Sequence, residues 1–204
     1  MVLRENTKLD PRVALVARRA LRTLKRSGIP HALTGGALLN LLGVGRPTFD
    51  VDIIVSRAQW QKAVDLLKRH SIDNERMGLS GEPEPAAILK TREGPYLEIF
   101  PEGLTAGEIA KLRGYYRAHR AGKIAFRVKG NPLVNLINSK LASYLSARDR
   151  LQDLSDVQRL IKHQELSLGF ELKLDSRVRK TFRDLLKRTQ PVKATPGKRV
   201  RSRS

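Results

Sequence analysis

The first apolar repeat, Val13, Val16, Ala20, Leu21 and Leu24, has helical spacing. Asp10 and Pro11 precede it and Gly28 follows, which predicts an aspartate-capped helix with proline in its first turn and glycine closing its end. "HALTGG" predicts a short strand and a glycine turn, "ALLNLLG" a short buried helix, and "FDVDIIV" a strand half polar at its start and fully apolar at its end. Ser56 is placed to cap a helix carrying Trp60, Val64 and Leu67. From Ser71 to Pro101 the pattern is broken by "SGEPEP" and "REGP", leaving "AAILK" and "YLEIF" as strands of a hairpin or meander. These elements make an α/β core of few strands.

Helices take over after Thr105. "TAGE" reads as a capping box, Thr105 at the N-cap and Glu108 at the third position, with Ile109, Leu112 and Tyr116 at helical spacing. "GKIAFRV" alternates as one more strand would. Asn131 and Pro132 open a helix whose buried stripe is expected at Val134, Ile137, Leu141 and Leu145. Two more helices are expected around Asp153–Lys162 and Ser176–Lys187. The expected organisation is an α/β (α+β) core over residues 1–130, a helical part over 131–189, and a disordered basic tail over 190–204.

Charge narrows the partners. The 204 residues carry 40 Lys+Arg against 20 Asp+Glu, a formal net charge of +20, which favours a polyanion: RNA, DNA, nucleotide phosphates or an anionic surface. Five of the cations lie in the tail, so the remainder is still basic by 35 to 20. Cysteine is absent, which excludes disulfides, thiolate zinc sites and a cysteine nucleophile, and the four histidines are too scattered to suggest a metal site. No apolar run approaches the ~18 residues that span a bilayer, and the first residues are too often interrupted by charge for a signal peptide. A cytoplasmic protein without a membrane partner is the expectation.

The densest chemistry lies in "LTGGALLNLLGVGRPTFDVDIIV", residues 33–55. Side chains alternate along a strand, so Asp50 and Asp52 share a face while Val51 and Ile53 point into the core. Two carboxylates so placed repel each other, and a hard divalent cation such as Mg²⁺ or Mn²⁺ between them relieves the repulsion. Gly35 and Gly36 allow a tight turn at the start of a helix, where free N–H groups can cradle phosphate. A phosphate cradle beside a carboxylate pair describes a phosphoryl- or nucleotidyl-transfer site.

Gly-Gly, thirteen residues, then Asp-Val-Asp-Ile resembles the signature of the DNA polymerase β-like nucleotidyltransferase superfamily. "RPTFDVDIIV" and "LVNLINSKLASYLSARDRLQDLSDVQRLI" are similar, in that order, to segments of stand-alone AbiEii-type nucleotidyltransferases. The resemblance implies a small mixed sheet flanked by helices, an NTP donor and catalytic Mg²⁺ or Mn²⁺. It implies that Gly35 and Gly36 hold the triphosphate and that Asp50 and Asp52 bind the metal. Arg46 and Thr48 are placed to touch phosphate or to stabilise the loop, with plain surface charge and turn capping as the other reading. The superfamily's third carboxylate, metal ligand or general base, falls on Glu98, with Glu102 as a fallback; an exposed-face glutamate is the alternative for Glu98. Lys140 falls where a lysine would contact nucleotide phosphate, or is an ordinary lysine beside the apolar stripe of its helix. Asp153 and Asp156 share a helix face and are read as structural, Asp153 as an N-cap with Asp156 in the first turn, and Arg148 or Arg150 can pair with one of them.

The expected function is therefore metal-dependent transfer of NMP from an NTP to a hydroxyl. RNA, in particular a tRNA end, is the acceptor suited to the basic charge, and the AbiEii likeness adds a toxin role with an antitoxin partner. The alternative is an inactive nucleotidyltransferase-fold protein that binds nucleic acid through its basic surface.

Overall fold

A computed structural model describes residues 9–69, 71–77, 86–112, 117–147 and 149–189. Helix α1, Pro11–Arg26, begins as its sequence dictates: Asp10 accepts from the Arg12 backbone N–H at 2.8 Å and proline occupies the first turn. Its buried face is Val13, Ala14, Val16, Ala17, Ala20 and Leu24. Strand β1, His31–Leu33, leads directly into helix α2, Gly35–Leu41, so the glycine pair forms the first turn of the helix rather than a turn ahead of it. Strand β2, Asp50–Val55, follows.

A single 3₁₀ turn at Arg57–Gln59 separates Ser56 from helix α3, Trp60–Lys68. The expected Ser56 helix cap is thus corrected: Ser56 precedes the 3₁₀ turn and its side chain makes no capping bond. Strands β3, Ser71–Met77, β4, Ala86–Thr91, and β5, Tyr96–Pro101, complete a mixed sheet ordered β1-β2-β5-β4-β3. The β4–β5 hairpin matches the two runs expected from sequence, whereas β3, "SIDNERM", has too little apolar alternation to announce itself.

Only the β2–β5 pair is parallel among the named strands; the other three pairings are antiparallel. The two sheet faces have different covers. Val51, Ile53, Leu97 and Ile99 lie in the main core, which α1 and α3 roof with Val16, Ala20, Val64 and Leu67. Trp60 of α3 fastens that roof by donating its indole N–H to the Ile99 carbonyl at 3.3 Å. The opposite face carries Asp50, Asp52 and Glu98, the two aspartates lining an open cleft, with a small cluster of Ala86, Phe100 and Leu104 on the same side.

Helix α4, Ala106–Leu112, has the expected capping box: Glu108 accepts from the Thr105 N–H at 2.7 Å and the Glu108 N–H donates to the Thr105 hydroxyl at 3.3 Å. Tyr116 lies outside the described residues, as do Arg148 and the tail over 190–204. "GKIAFRV" is not a sheet strand. Arg120–Lys123 form a 3₁₀ turn that the Ile124 N–H closes on the Ala121 carbonyl, and residues 124–126 otherwise bond along Gly103–Ala106. That ladder cannot lengthen because its partner turns into α4 at Ala106.

Helices α5, Pro132–Ser146, α6, Leu151–His163, and α7, Ser176–Thr189, pack on one another and share one core with the sheet. Asn131 caps α5 as expected, accepting from Leu133 and Val134 N–H groups. The stripe of α5 is rotated from the expected one: Leu136, Ile137, Lys140, Leu141 and Ala142 are buried, while Val134 and Leu145 are half-buried. A helix flanked by two others must cover more than one face, which a single-stripe reading misses.

Candidate active site

Convergence of the carboxylates follows from register. In parallel pairing Asp52 stands opposite Glu98, with Val51 opposite Leu97 and Ile53 opposite Ile99. The period of two then puts Asp50, Asp52 and Glu98 on one face of adjacent strands. One carboxylate oxygen from each lies within 4.8 Å of the other two, and all three residues are half-buried. Three hard oxygen donors so gathered suit Mg²⁺ or Mn²⁺, and the cation's charge would offset the repulsion among them. Glu102, the fallback, is engaged elsewhere: its carboxylate accepts from the Val128 N–H at 3.0 Å.

Both glycines are dictated by what lies against them. Gly35 has φ +62°, and a Cβ there would overlap the Asp52 carboxylate. A Cβ at Gly36 would overlap the Thr48 hydroxyl. The backbone of α2 can therefore press against the acidic strand only if both residues lack side chains. The Thr34 N–H donates to the Asp52 carbonyl at 2.9 Å and locks this approach, while the Thr34 side chain makes no capping bond to α2. No Thr34 side-chain bond therefore caps the first-turn N–H groups beside the carboxylates.

This juxtaposition yields a prediction. Gly28 has φ +65° with nothing within 4 Å of an added Cβ, so Gly28→Ala costs only the left-handed strain, about 1 kcal/mol. Gly35→Ala adds the overlap with Asp52. It should lower thermal stability further and weaken Mn²⁺ binding by roughly tenfold or more, whereas Gly28→Ala leaves Mn²⁺ titration unchanged.

Arg46, Lys140, Arg150 and Asp153 join the glycine and aspartate pairs in lining a cleft of about 310 Å³. Thr48 is buried and does not line the cleft; its hydroxyl donates to Asp50 Oδ1 at 2.5 Å and so aims that carboxylate. Arg46 lines the cleft. Asn40 holds its backbone, donating to the Arg46 carbonyl at 2.7 Å and accepting from its N–H at 3.2 Å, and the Arg46 guanidinium lies 3.3 Å from Asp156.

Lys140 is the residue whose surroundings the sequence concealed most. Its side chain is 7% exposed, and Nζ donates to Asp153 Oδ1 at 3.0 Å and Asp156 Oδ2 at 2.7 Å. Asp153 is not a helix N-cap: Arg150 occupies that position, and the Asp153 carboxylate turns inward to Lys140 and to Arg150 Nε at 2.6 Å. Burial raises the Asp153 pKa, but the Lys140 and Arg150 charges outweigh it and hold the carboxyl below its ordinary 3.8. Arg150 is one of the two expected pairing partners, but its position at the cleft was not read from sequence. Burial works against its charge, yet Asp153 and then Asp52 and Glu98 raise its pKa, so its guanidinium feels the acidic triad. The Arg-x-x-Asp spacing that Arg150 itself opens with Asp153 was the available signal.

No protein-family model matches the chain, and no curated protein matches it. Among solved structures, an antigenic nucleotidyltransferase-like protein from Paracoccidioides brasiliensis aligns over 88% of this chain and 88% of its own, at 22% identity and a TM-score of 0.45. The Thermotoga maritima CCA-adding enzyme complexed with tRNA aligns over 89% of this chain and 43% of its own, at 14% identity and a TM-score of 0.41. A CCA-adding enzyme complexed with CTP gives 89% and 46%, at 15% identity and a TM-score of 0.41. This chain thus spans less than half the length of the CCA-adding enzymes it matches. These likenesses are distant, and the functional assignment rests on the geometry of the cleft. Among the described residues no helix is long and apolar enough to cross a membrane.

Proposed function

We propose that this protein is a metal-dependent nucleotidyltransferase that moves NMP from an NTP to a hydroxyl acceptor. The observation that carries the reading is the convergence of Asp50, Asp52 and Glu98 beside the side-chain-free backbone of Gly35 and Gly36. Asp50 and Asp52 would hold the metal, with Glu98 joining them or taking the acceptor's proton. A divalent cation bound there supplies neutralisation of phosphate charge and activation of the acceptor hydroxyl. In the transfer, the acceptor oxygen bonds to the α-phosphorus, the bond to the β-phosphate's bridging oxygen breaks, and pyrophosphate leaves. The N–H groups of Gly35 and Gly36 would cradle the triphosphate, and Arg46 and Arg150 would offset its charge from the cleft wall. Lys140 acts chiefly through Asp153 and Asp156, because its ammonium is already engaged by both.

RNA is the acceptor favoured by the net charge of +20. The AbiEii-like segments extend the proposal to a toxin restrained by an antitoxin, which predicts growth arrest on expression that Asp50→Asn/Asp52→Asn relieves.

The test is label transfer: full-length protein, Mg²⁺ or Mn²⁺, each α-labelled NTP in turn, and total RNA. Label appearing on RNA from one NTP supports the reading and identifies the donor. Label on protein instead would replace the acceptor, and no label with any NTP would overturn the enzyme assignment in favour of a binding protein.

A further inference from the structure

A second cleft, about 430 Å³, opens beside the first and shares the wall formed by Thr34, Phe126 and Ser139. Its charge is one-sided: Lys123, Arg127, Lys173, Arg177 and Arg179 line it, with Asp175 as the sole lining carboxylate among the described residues. Asp175 is consumed by Arg177, which donates to its two oxygens at 2.8 and 2.7 Å, an arrangement that lowers the Asp175 pKa. Arg179 donates to the Leu174 and Leu172 carbonyls, which fix its guanidinium without cancelling its charge. Lys123, Arg127 and Lys173 are exposed, and none forms an ion pair among the described residues. A net charge of +4 held in one groove is costly to the free protein through self-repulsion, and it is relieved by a ligand with several negative charges.

The groove also offers neutral hydrogen-bonding groups and apolar surface. Asn138 accepts from the Asp175 N–H at 3.0 Å, which leaves its amide N–H groups for a ligand, and Leu172 is 69% exposed at the rim. Phosphate-binding cations, hydroxyl-reading amides and an apolar rim together match a single strand of RNA, whose 2′-hydroxyls distinguish it from DNA.

We propose that this groove binds the 3′-terminal segment of single-stranded RNA, its phosphates on Lys123, Arg127, Lys173 and Arg179, and delivers the terminal hydroxyl past Phe126 to the acidic triad. The delivery step rests on the nucleotidyl-transfer reading, but the binding does not.

The experiment is fluorescence anisotropy of full-length protein with a labelled RNA of about 12 nucleotides, within the usual span of a single-strand site, across a salt series. Lys123→Ala/Arg127→Ala/Lys173→Ala is compared with Arg18→Ala/Arg22→Ala/Lys25→Ala, which removes equal charge from exposed positions of α1 beyond the opposite sheet face. The groove variant should lose tenfold or more in affinity, and its salt slope should fall by about 2 from the loss of three phosphate contacts. The α1 variant should change less than twofold. Equal losses in both variants, equal binding of single-stranded DNA, or equal competition by polyglutamate would overturn the assignment. Groove-dependent RNA binding without any label transfer would leave this site standing and remove the enzymatic reading; transfer to RNA unaffected by the groove variant would do the reverse.

Discussion

Asp50→Asn/Asp52→Asn should abolish NMP transfer, by about 10³-fold or more, since losing metal stabilisation of phosphate charge forfeits several kcal/mol of barrier lowering at ~1.4 kcal/mol per decade. The substitutions preserve shape. An amide oxygen at position 50 can still accept from the Thr48 hydroxyl, and the Thr34 bond uses the backbone carbonyl of residue 52. Far-UV circular dichroism should therefore be unchanged. Binding only to the folded state raises stability, so Mn²⁺ should increase Tm of the parent protein and leave the double variant's Tm unmoved. Transfer at parental rates by a folded double variant would sink the proposed mechanism.

The second large effect concerns stability. Lys140→Met removes the cation shared by Asp153 and Asp156, whose side chains are 5% and 1% exposed, and leaves each with one arginine. Breaking a buried ion pair from one side typically costs about 3–5 kcal/mol, or roughly 10 °C in Tm for a chain of this size. Adding Asp153→Asn and Asp156→Asn to Lys140→Met should recover part of the loss, because the uncompensated charges are then gone.

The pH dependence follows from the same cluster. The Asp153 carboxyl is held below its ordinary value, so the stability it contributes is complete above 3.8 and is lost as pH falls through the depressed value. Without Lys140 the ionised form is less favoured, and the acid-unfolding midpoint of Lys140→Met should move to higher pH. Denaturant titrations at pH 7 and in acid measure both effects. An unaltered midpoint with raised KM for NTP would instead assign Lys140 to phosphate contact.

Local signals in the chain account for three helix starts and for the acidic strand. Asp10 before Pro11, Asn131 before Pro132 and the Thr105–Glu108 pair act within a few residues, so caps and first turns are legible without knowing the partner surface. Strand period alone puts Asp50 and Asp52 on one face. Where the partner decides, the reading stops. "GKIAFRV" alternates like a strand but runs along a segment that becomes helix, and β3 forms beside β4 despite its polar sequence. Parallel pairing of β2 with β5 is what sets Glu98 opposite Asp52, and spacing could not reveal it because α3, β3 and β4 lie between the two residues that register brings together.

The caps of α1, α4 and α5, the α/β order, the paired aspartates and the two glycines ahead of them are written in the chain alone, because backbone conformation and side-chain period are local properties. Other features exist only once the chain is packed: Gly35 and Gly36 pressing on Asp52 and Thr48, Lys140 locked between two buried carboxylates, and scattered cations lining one groove beside the acidic triad. Those features are distances between separate segments, set by packing of α2 against β2, of α5 against α6, and of α7 against the 3₁₀ turns at Arg120–Lys123 and Leu168–Lys173.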